Sequence, residues 1–204
     1  MVNLQDEPSI YLASQSPRRR ELLQQIGVLH RVVAANVTEV PRTQESPSAY
    51  VQRLAREKAE AGFATVKASQ MPVKAVLGAD TIVVVNNEIL EKPQDAQHAA
   101  AMLRKLAGTE HQVMTAVAMI MQEKCSVKLS VTDVVFRPLE DDEIAAYWKT
   151  GEPCDKAGGY GIQGLGAVFV QQIRGSYTGV VGLPIEQTVA LLQEFAIPYW
   201  QQTA

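Results

Sequence analysis

Cysteine and histidine are scarce in this 204-residue chain, which has two of the first and three of the second. Cys125 and Cys154 stand far apart with no CxxC spacing, which excludes a disulfide framework and a cysteine-built zinc site. His30, His98 and His111 form no HxH or HExxH pattern, so a histidine-built metal centre is excluded as well. No apolar run approaches the ~18 residues that cross a bilayer. Met1 to Pro8 carries Asp6 and Glu7 without an apolar core, so no secretory signal is expected. An excess of basic charge is missing too. The formal net charge is -3, which argues against coating a nucleic acid polymer, a task that needs a broad cationic surface. There is no GxSxG nucleophile elbow and no GxxxxGK phosphate loop. These absences point to a soluble cytoplasmic protein with neither nucleic acid polymer nor membrane among its partners.

With 47% apolar residues the chain can bury a core, and residues 1–204 are expected to form a single domain, as one unit or as two packed lobes. Short apolar strands alternate with helical segments, the pattern of an α/β fold with a mixed sheet. Ile10 to Ala13 reads as a strand. It enters Ser14-Gln15-Ser16-Pro17, with Ser16 as N-cap and Pro17 opening a helix that Gly27 stops. Arg31 to Val37 reads as a second strand, and Ser46-Pro47 starts a helix to about Ala64. Val73 to Val85 is β-prone but interrupted by Gly78-Ala79-Asp80-Thr81. Asn86-Asn87 marks a hairpin turn into Glu88 to Leu90. A helix from Asp95 to near Gly108 follows, then a hairpin of His111 to Met121 with Ser126 to Phe136. A helix over Asp141 to Lys149, a glycine-rich stretch over Gly158 to Gly166, a strand over Ala167 to Gln172 and a last helix to about Phe195 complete the chain.

Five places carry chemistry. After the first strand, a tight turn into a capped helix gathers unpaired N–H groups and the positive end of a helix dipole. Ser14, Ser16, Arg18 and Arg19 meet there, and arginine at a helix start opposes the dipole unless an anion is bound. A solvated basic helix start is the plainer alternative. Lys58 shares the apolar face of Tyr50, Val51, Leu54 and Ala55, where its ammonium either snorkels to water, the usual fate, or pairs with phosphate or carboxylate. Asp80, set in a β run of apolar neighbours, needs a cation: Lys58, or Mg²⁺ on a triphosphate. Lys92, held before Pro93, and Glu39, a second candidate metal carboxylate, are weak signals singly. Gln163, in a run of five glycines between 158 and 166, offers both a donor and an acceptor to a nucleobase edge. Phosphate grip, carboxylate and base-reading loop together suit metal-assisted attack of water on a phosphoanhydride.

These residues occur in order with further short motifs: Ser14-x-Ser16-Pro17-Arg18-Arg19, Glu39, Arg56-Glu57-Lys58-Ala59, Gly78-Ala79-Asp80-Thr81, Glu91-Lys92-Pro93, Ala157 to Gly164 and Gly182-Leu183-Pro184. As an ordered set across nearly the whole chain they resemble the Maf family of nucleotide pyrophosphatases. The resemblance implies two lobes flanking a central cleft, similar to inosine triphosphate pyrophosphatase. It implies cleavage between the α and β phosphates, with Mg²⁺ or a similar cation such as Mn²⁺ or Co²⁺. It implies Asp80 as proton acceptor and Arg18, Thr81 and Gln163 as positions that set substrate choice. Arg18 with the Gly-Gly-Tyr-Gly-Ile-Gln-Gly stretch resembles the branch acting on dTTP and UTP. Ser14, Ser16, Arg19, Lys58 and Lys92 are then expected to hold phosphates, with Glu39 and Asp80 on the metal. A homodimer is a family-level expectation. The rival readings are the sister branch acting on 7-methyl-GTP and a nucleotide-binding regulator of cell division.

Overall fold

The computed structural model describes residues 7–201; of the Met1 to Pro8 stretch, where no secretory signal is expected, Met1 to Asp6 lies outside them. Among the described residues seven strands and six α-helices occur, and the strands form a mixed sheet. They are β1 Ile10–Ala13, β2 His30–Val32, β3 Val76–Val85, β4 Glu88–Leu90, β5 Glu110–Met121, β6 Lys124–Phe136 and β7 Val170–Arg174. The helices are α1 Pro17–Gln25, α2 Pro47–Ala68, α3 Ala96–Leu106, α4 Asp141–Lys149, α5 Tyr177–Val181 and α6 Ile185–Glu194. No helix of the described residues is long and apolar enough to cross a membrane.

The chain divides into two compact units. Unit 1 holds the chain up to Asp80, Ala116–Leu129 and the part from Gly182 onward; unit 2 holds Thr81–Thr115 and Ser130–Val181.

In unit 1, β1 pairs in parallel with both β2 and β3, and α2 lies against β1 and β3. The helix starts as its sequence directs: Ser46 Oγ accepts the Ala49 amide at 3.3 Å, with Pro47 in the first turn. Its buried stripe, Tyr50, Val51, Leu54, Ala55, Ala59, Phe63 and Val66, recurs every three or four residues. Full burial of a side chain such as Leu54 or Val66 contributes about 1.5–3 kcal/mol. Two glycines set how closely helix and strands approach. A Cβ on Gly62 of α2 would lie 2.8 Å from Ala13 Cβ and 3.0 Å from Val76 Cγ1. A Cβ on Gly78 of β3 would lie 2.4 Å from the Ala55 oxygen and 2.5 Å from the Ala59 nitrogen. The helix therefore rests on the bare backbone of β3.

Two expectations are corrected here. The strand expected over Arg31 to Val37 stops at Val32. Among the described residues it pairs with β1 alone, which ends at Ala13; the Val33 amide still donates to the Leu12 oxygen at 3.0 Å, and the residues beyond it have no ladder to join. The Ala34 oxygen instead accepts from Thr65 of α2 at 3.0 Å. Gly78-Ala79-Asp80-Thr81 does not interrupt β3, which is continuous through it and buried at nine of its ten residues.

In unit 2, Asn86 and Asn87 take positive φ values of 49° and 62°, the turn that joins β3 to β4. Asp95 caps α3 by accepting from the His98 amide at 2.8 Å. The last strand starts three residues later than expected, because Leu165–Phe169 forms 3₁₀ turns. Those turns bury Phe169, which meets Tyr147 edge to face at 4.9 Å. Gly158, at φ 69°, presses so close to Val83 that a Cβ there would lie 2.8 Å from Val83 Cγ2.

Candidate active site

The parallel register places Ala13 opposite Gly78. Ser14 leaves β1 at its carboxyl end, and Asp80, two residues past Gly78 in the middle of β3, lies beside that turn. Ligands of open α/β sheets bind at that end. Ser14 Oγ accepts from the Ser16 amide at 3.3 Å and from Arg19 Nη1 at 2.9 Å. Arg19 Nε donates to the Gly182 oxygen at 2.8 Å, which gives the Gly182-Leu183-Pro184 motif a purpose: its carbonyl anchors the arginine. Burial lowers the Arg19 pKa and the nearby Asp80 opposes that shift, yet a guanidinium stays charged at neutral pH. Ser16 does not act as a side-chain cap, contrary to expectation, because its hydroxyl makes no bond to the α1 amides. Arg18 is partly exposed and Arg20 exposed.

The contact of α2 with Gly78 brings Lys58 down beside Asp80. Its Nζ lies 2.7 Å from Asp80 Oδ1 and 2.6 Å from Glu39 Oε1. The lysine does not snorkel to water, since its side chain is only 13% exposed. Asp80 is 7% exposed at its side chain, and its Oδ2 is buried with no hydrogen-bond partner among the described residues. Burial raises the Asp80 pKa above the ordinary carboxylate range, against the opposing pull of Lys58 and Arg19. Glu39, half exposed, reaches the same ammonium from the irregular segment between β2 and α2. One ammonium thus holds two carboxylates beside a basic turn.

Unit 2 holds the remaining sequence-predicted residues. Thr81 Oγ1 and Thr115 Oγ1 are 2.9 Å apart, and Thr115 donates its proton to the Gly179 oxygen at 2.8 Å. Thr81 is therefore the donor in their shared bond. Lys92 and Gln163 are exposed. The two loops that carry them meet, because the Gly158 amide donates to the Glu91 oxygen at 3.1 Å.

Comparison with known proteins now decides the family. The sequence profile described as Maf-like protein matches residues 9–195. The chain belongs to the Maf-like family. A dTTP/UTP pyrophosphatase of Saccharophagus degradans is 57% identical over 195 residues, covering 96% of this chain and 92% of that protein. A dTTP/UTP pyrophosphatase of Escherichia coli O157:H7 is 57% identical over 187 residues, covering 92% of this chain and 93% of its own length. A nucleoside triphosphate pyrophosphatase of Shigella flexneri has the same identity and coverage.

The structure of this Maf-like chain also brings forward residues that sequence reasoning passed over. Glu152 is the main one. Its carboxylate accepts from Tyr147 Oη at 2.7 Å, the Leu165 amide at 2.8 Å and the Gly166 amide at 2.9 Å. Those bonds hold the glycine-rich turn that carries Gln163, and a Cβ on Gly164 would lie 2.1 Å from Glu152 Oε2. Burial pushes the Glu152 carboxyl up, but the bonds it accepts more than offset this and hold its pKa below the usual value. A glutamate beside Pro153 carries no sequence signal of such a role. Its partners are backbone amides 13 and 14 residues on, which any residue type supplies.

Proposed function

We propose that this chain is a cytoplasmic nucleoside triphosphate pyrophosphatase that converts dTTP and UTP to the monophosphate and pyrophosphate. What carries this reading is the Asp80 carboxylate: buried, tied to Lys58 through Oδ1, with no partner for Oδ2 among the described residues, beside the end of β1 where Ser14 and Arg19 are assembled. The dTTP/UTP pyrophosphatase names of relatives 57% identical over nearly the full chain support the substrate assignment.

A divalent cation, Mg²⁺ or a similar ion such as Mn²⁺ or Co²⁺, fits this donor set. Asp80 and Glu39 are hard oxygen donors, and one Asp80 oxygen lacks a partner among the described residues. No cluster of three or more histidine, cysteine or acidic residues able to hold a metal occurs among the described residues. Mg²⁺ is often held by one or two carboxylates with substrate phosphates and water completing its shell. When bound, the ion neutralises phosphate charge and acidifies water.

The chain's own groups account for binding and proton transfer. Ser14, Ser16, Arg18, Arg19, Lys58 and Lys92 hold the triphosphate. Ser14 suits this because its oxygen already accepts two hydrogen bonds, which leaves its proton to donate to a phosphate oxygen. Asp80 takes a proton from the attacking water. The water oxygen bonds to the α-phosphorus as the link from that phosphorus to the αβ-bridging oxygen breaks, and pyrophosphate leaves with the bridging oxygen. Arg18, Thr81 and Gln163 set substrate choice. The proposal treats residues 1–204 as a single functional domain that assembles as a homodimer, which sedimentation velocity checks.

One assay tests the central claim. Purified protein with Mg²⁺ is offered UTP, dTTP, a purine triphosphate and 7-methyl-GTP, and pyrophosphate and monophosphate are measured. UTP and dTTP should be turned over fastest. Faster turnover of 7-methyl-GTP, or no pyrophosphate above background, would overturn the claim.

A further inference from the structure

Glu39 sits in residues 33–46, which form neither strand nor helix. Something must hold a half-exposed carboxylate on such a segment within 2.6 Å of Lys58. Arg53 of α2 provides the means. All three of its guanidinium nitrogens are engaged within unit 1. Nε donates to Glu45 Oε1 at 2.7 Å, and Nη2 donates to Glu45 Oε2 at 2.6 Å and to the Val40 oxygen at 3.1 Å. Nη1 donates to the two oxygens of Glu57 at 3.2 and 3.1 Å. Glu45 also accepts the Arg42 amide at 2.9 Å, closing the segment on itself. The pair is largely sheltered, with Arg53 14% and Glu45 10% exposed at their side chains.

Every nitrogen of the guanidinium is committed to the loop or to α2 itself, so Arg53 acts as a strut. The residue it grips through the backbone, Val40, directly follows Glu39. The same helix carries Lys58, five residues beyond Arg53. One rigid element therefore fixes both the ammonium and the backbone from which Glu39 reaches it.

We infer that Arg53 is a positioning residue for Glu39: its fork, closed on Glu45 and Val40, sets where the Glu39 carboxylate stands and thereby the affinity of the site for its divalent cation. This rests on the assignment of Glu39 as a cation ligand made above. Groups that orient metal ligands commonly change metal affinity by about 10–100-fold when removed.

The test uses the full chain with MnCl₂. Mn²⁺ binding is followed by electron paramagnetic resonance with a UTP analogue that cannot be cleaved between the α and β phosphates. Pyrophosphate release from UTP is titrated with Mn²⁺ in parallel. Arg53→Lys keeps the charge but not the fork. It should raise the half-saturating Mn²⁺ about 10-fold in both readouts, leave kcat at saturating Mn²⁺ within about threefold, and keep a cooperative thermal melt. Glu45→Gln opens the same clamp from the loop side and should move the midpoint the same way, which keeps the test decisive if Arg53→Lys does not fold. In a Glu39→Gln background neither substitution should add a further shift. An equal shift with and without Glu39, or an unchanged Mn²⁺ midpoint in folded variants, overturns the inference. If Glu39→Gln alone leaves Mn²⁺ binding unchanged, the assignment of Glu39 has failed, and the inference falls with it.

Discussion

Lys58 Nζ lies 2.7 Å from Asp80 Oδ1, and both side chains are almost wholly withdrawn from solvent. Such a pair costs desolvation that its attraction must offset, and the raised pKa of Asp80 shows burial opposing its charge. Asp80→Asn keeps the shape, removes that charge and leaves Glu39 to partner the lysine. The melting temperature should therefore hold or rise, while kcat on UTP falls at least about 100-fold, as expected for loss of a general base. Normal turnover in a folded Asp80→Asn protein would remove Asp80 from the chemistry.

The turn held by Glu152 offers a separate test of base selection. Gln163→Ala should change the ratio of rates on UTP and a purine triphosphate while leaving competitive inhibition by pyrophosphate unaltered. Glu152→Ala strands Tyr147 Oη and two amides, and should destabilise the protein by about 1–3 kcal/mol. If the turn positions Gln163, the substrate ratio moves in the same direction as in Gln163→Ala. A stable Glu152→Ala protein with an unchanged ratio would contradict this.

His111 makes stability depend on pH. The residue is 2% exposed, Nε2 lies 2.9 Å from Tyr160 Oη, and Nδ1 is buried without a partner among the described residues. Burial draws its pKa down to about 4, whereas an unfolded histidine titrates near ~6.5. Between those values the unfolded chain binds a proton that the folded chain refuses. The contribution of His111 is complete above about pH 6.5 and is lost as pH falls toward 4, on the order of 3 kcal/mol at the ceiling. Urea unfolding from pH 4 to 7 should show a shallower rise in His111→Leu than in the parent. Parallel curves would refute the assignment.

Much of this was legible in advance where local chemistry decides the outcome. Pro17, Ser46-Pro47, Asn86-Asn87 and Asp95 marked starts and turns within a residue or so, because capping and turn preferences act over short range. Asp80 stood out because a carboxylate in an apolar strand requires a partner, and Lys58 proved to be one. Less visible was anything set by distant backbone. Ala34 to Val37 continues a β-prone run, yet it lacks a ladder because β1 ends at Ala13. Gly78 looked like a strand break, but its bareness admits a helix. The fate of Lys58 turned on that approach, which helical spacing alone cannot express. Arg53 and Glu152 bond to main-chain groups many residues away, and no side-chain pattern announces such partners.

The two glycines under α2 differ in a way that bears on genetic repair. An alanine at position 62 would strike side chains: Ala13 Cβ at 2.8 Å, Val76 Cγ1 at 3.0 Å and Val33 Cγ2 at 3.2 Å. Each can be trimmed, so Gly62→Ala should yield second-site suppressors such as Val76→Ala or Ala13→Gly. An alanine at position 78 would strike the Ala55 oxygen and the Ala59 nitrogen and Cα, which every residue type carries. A selection for restored activity starting from Gly78→Ala should therefore return only true revertants at codon 78. The lysine beside Asp80 depends on the one contact in the helix seat that no compensating mutation can reopen.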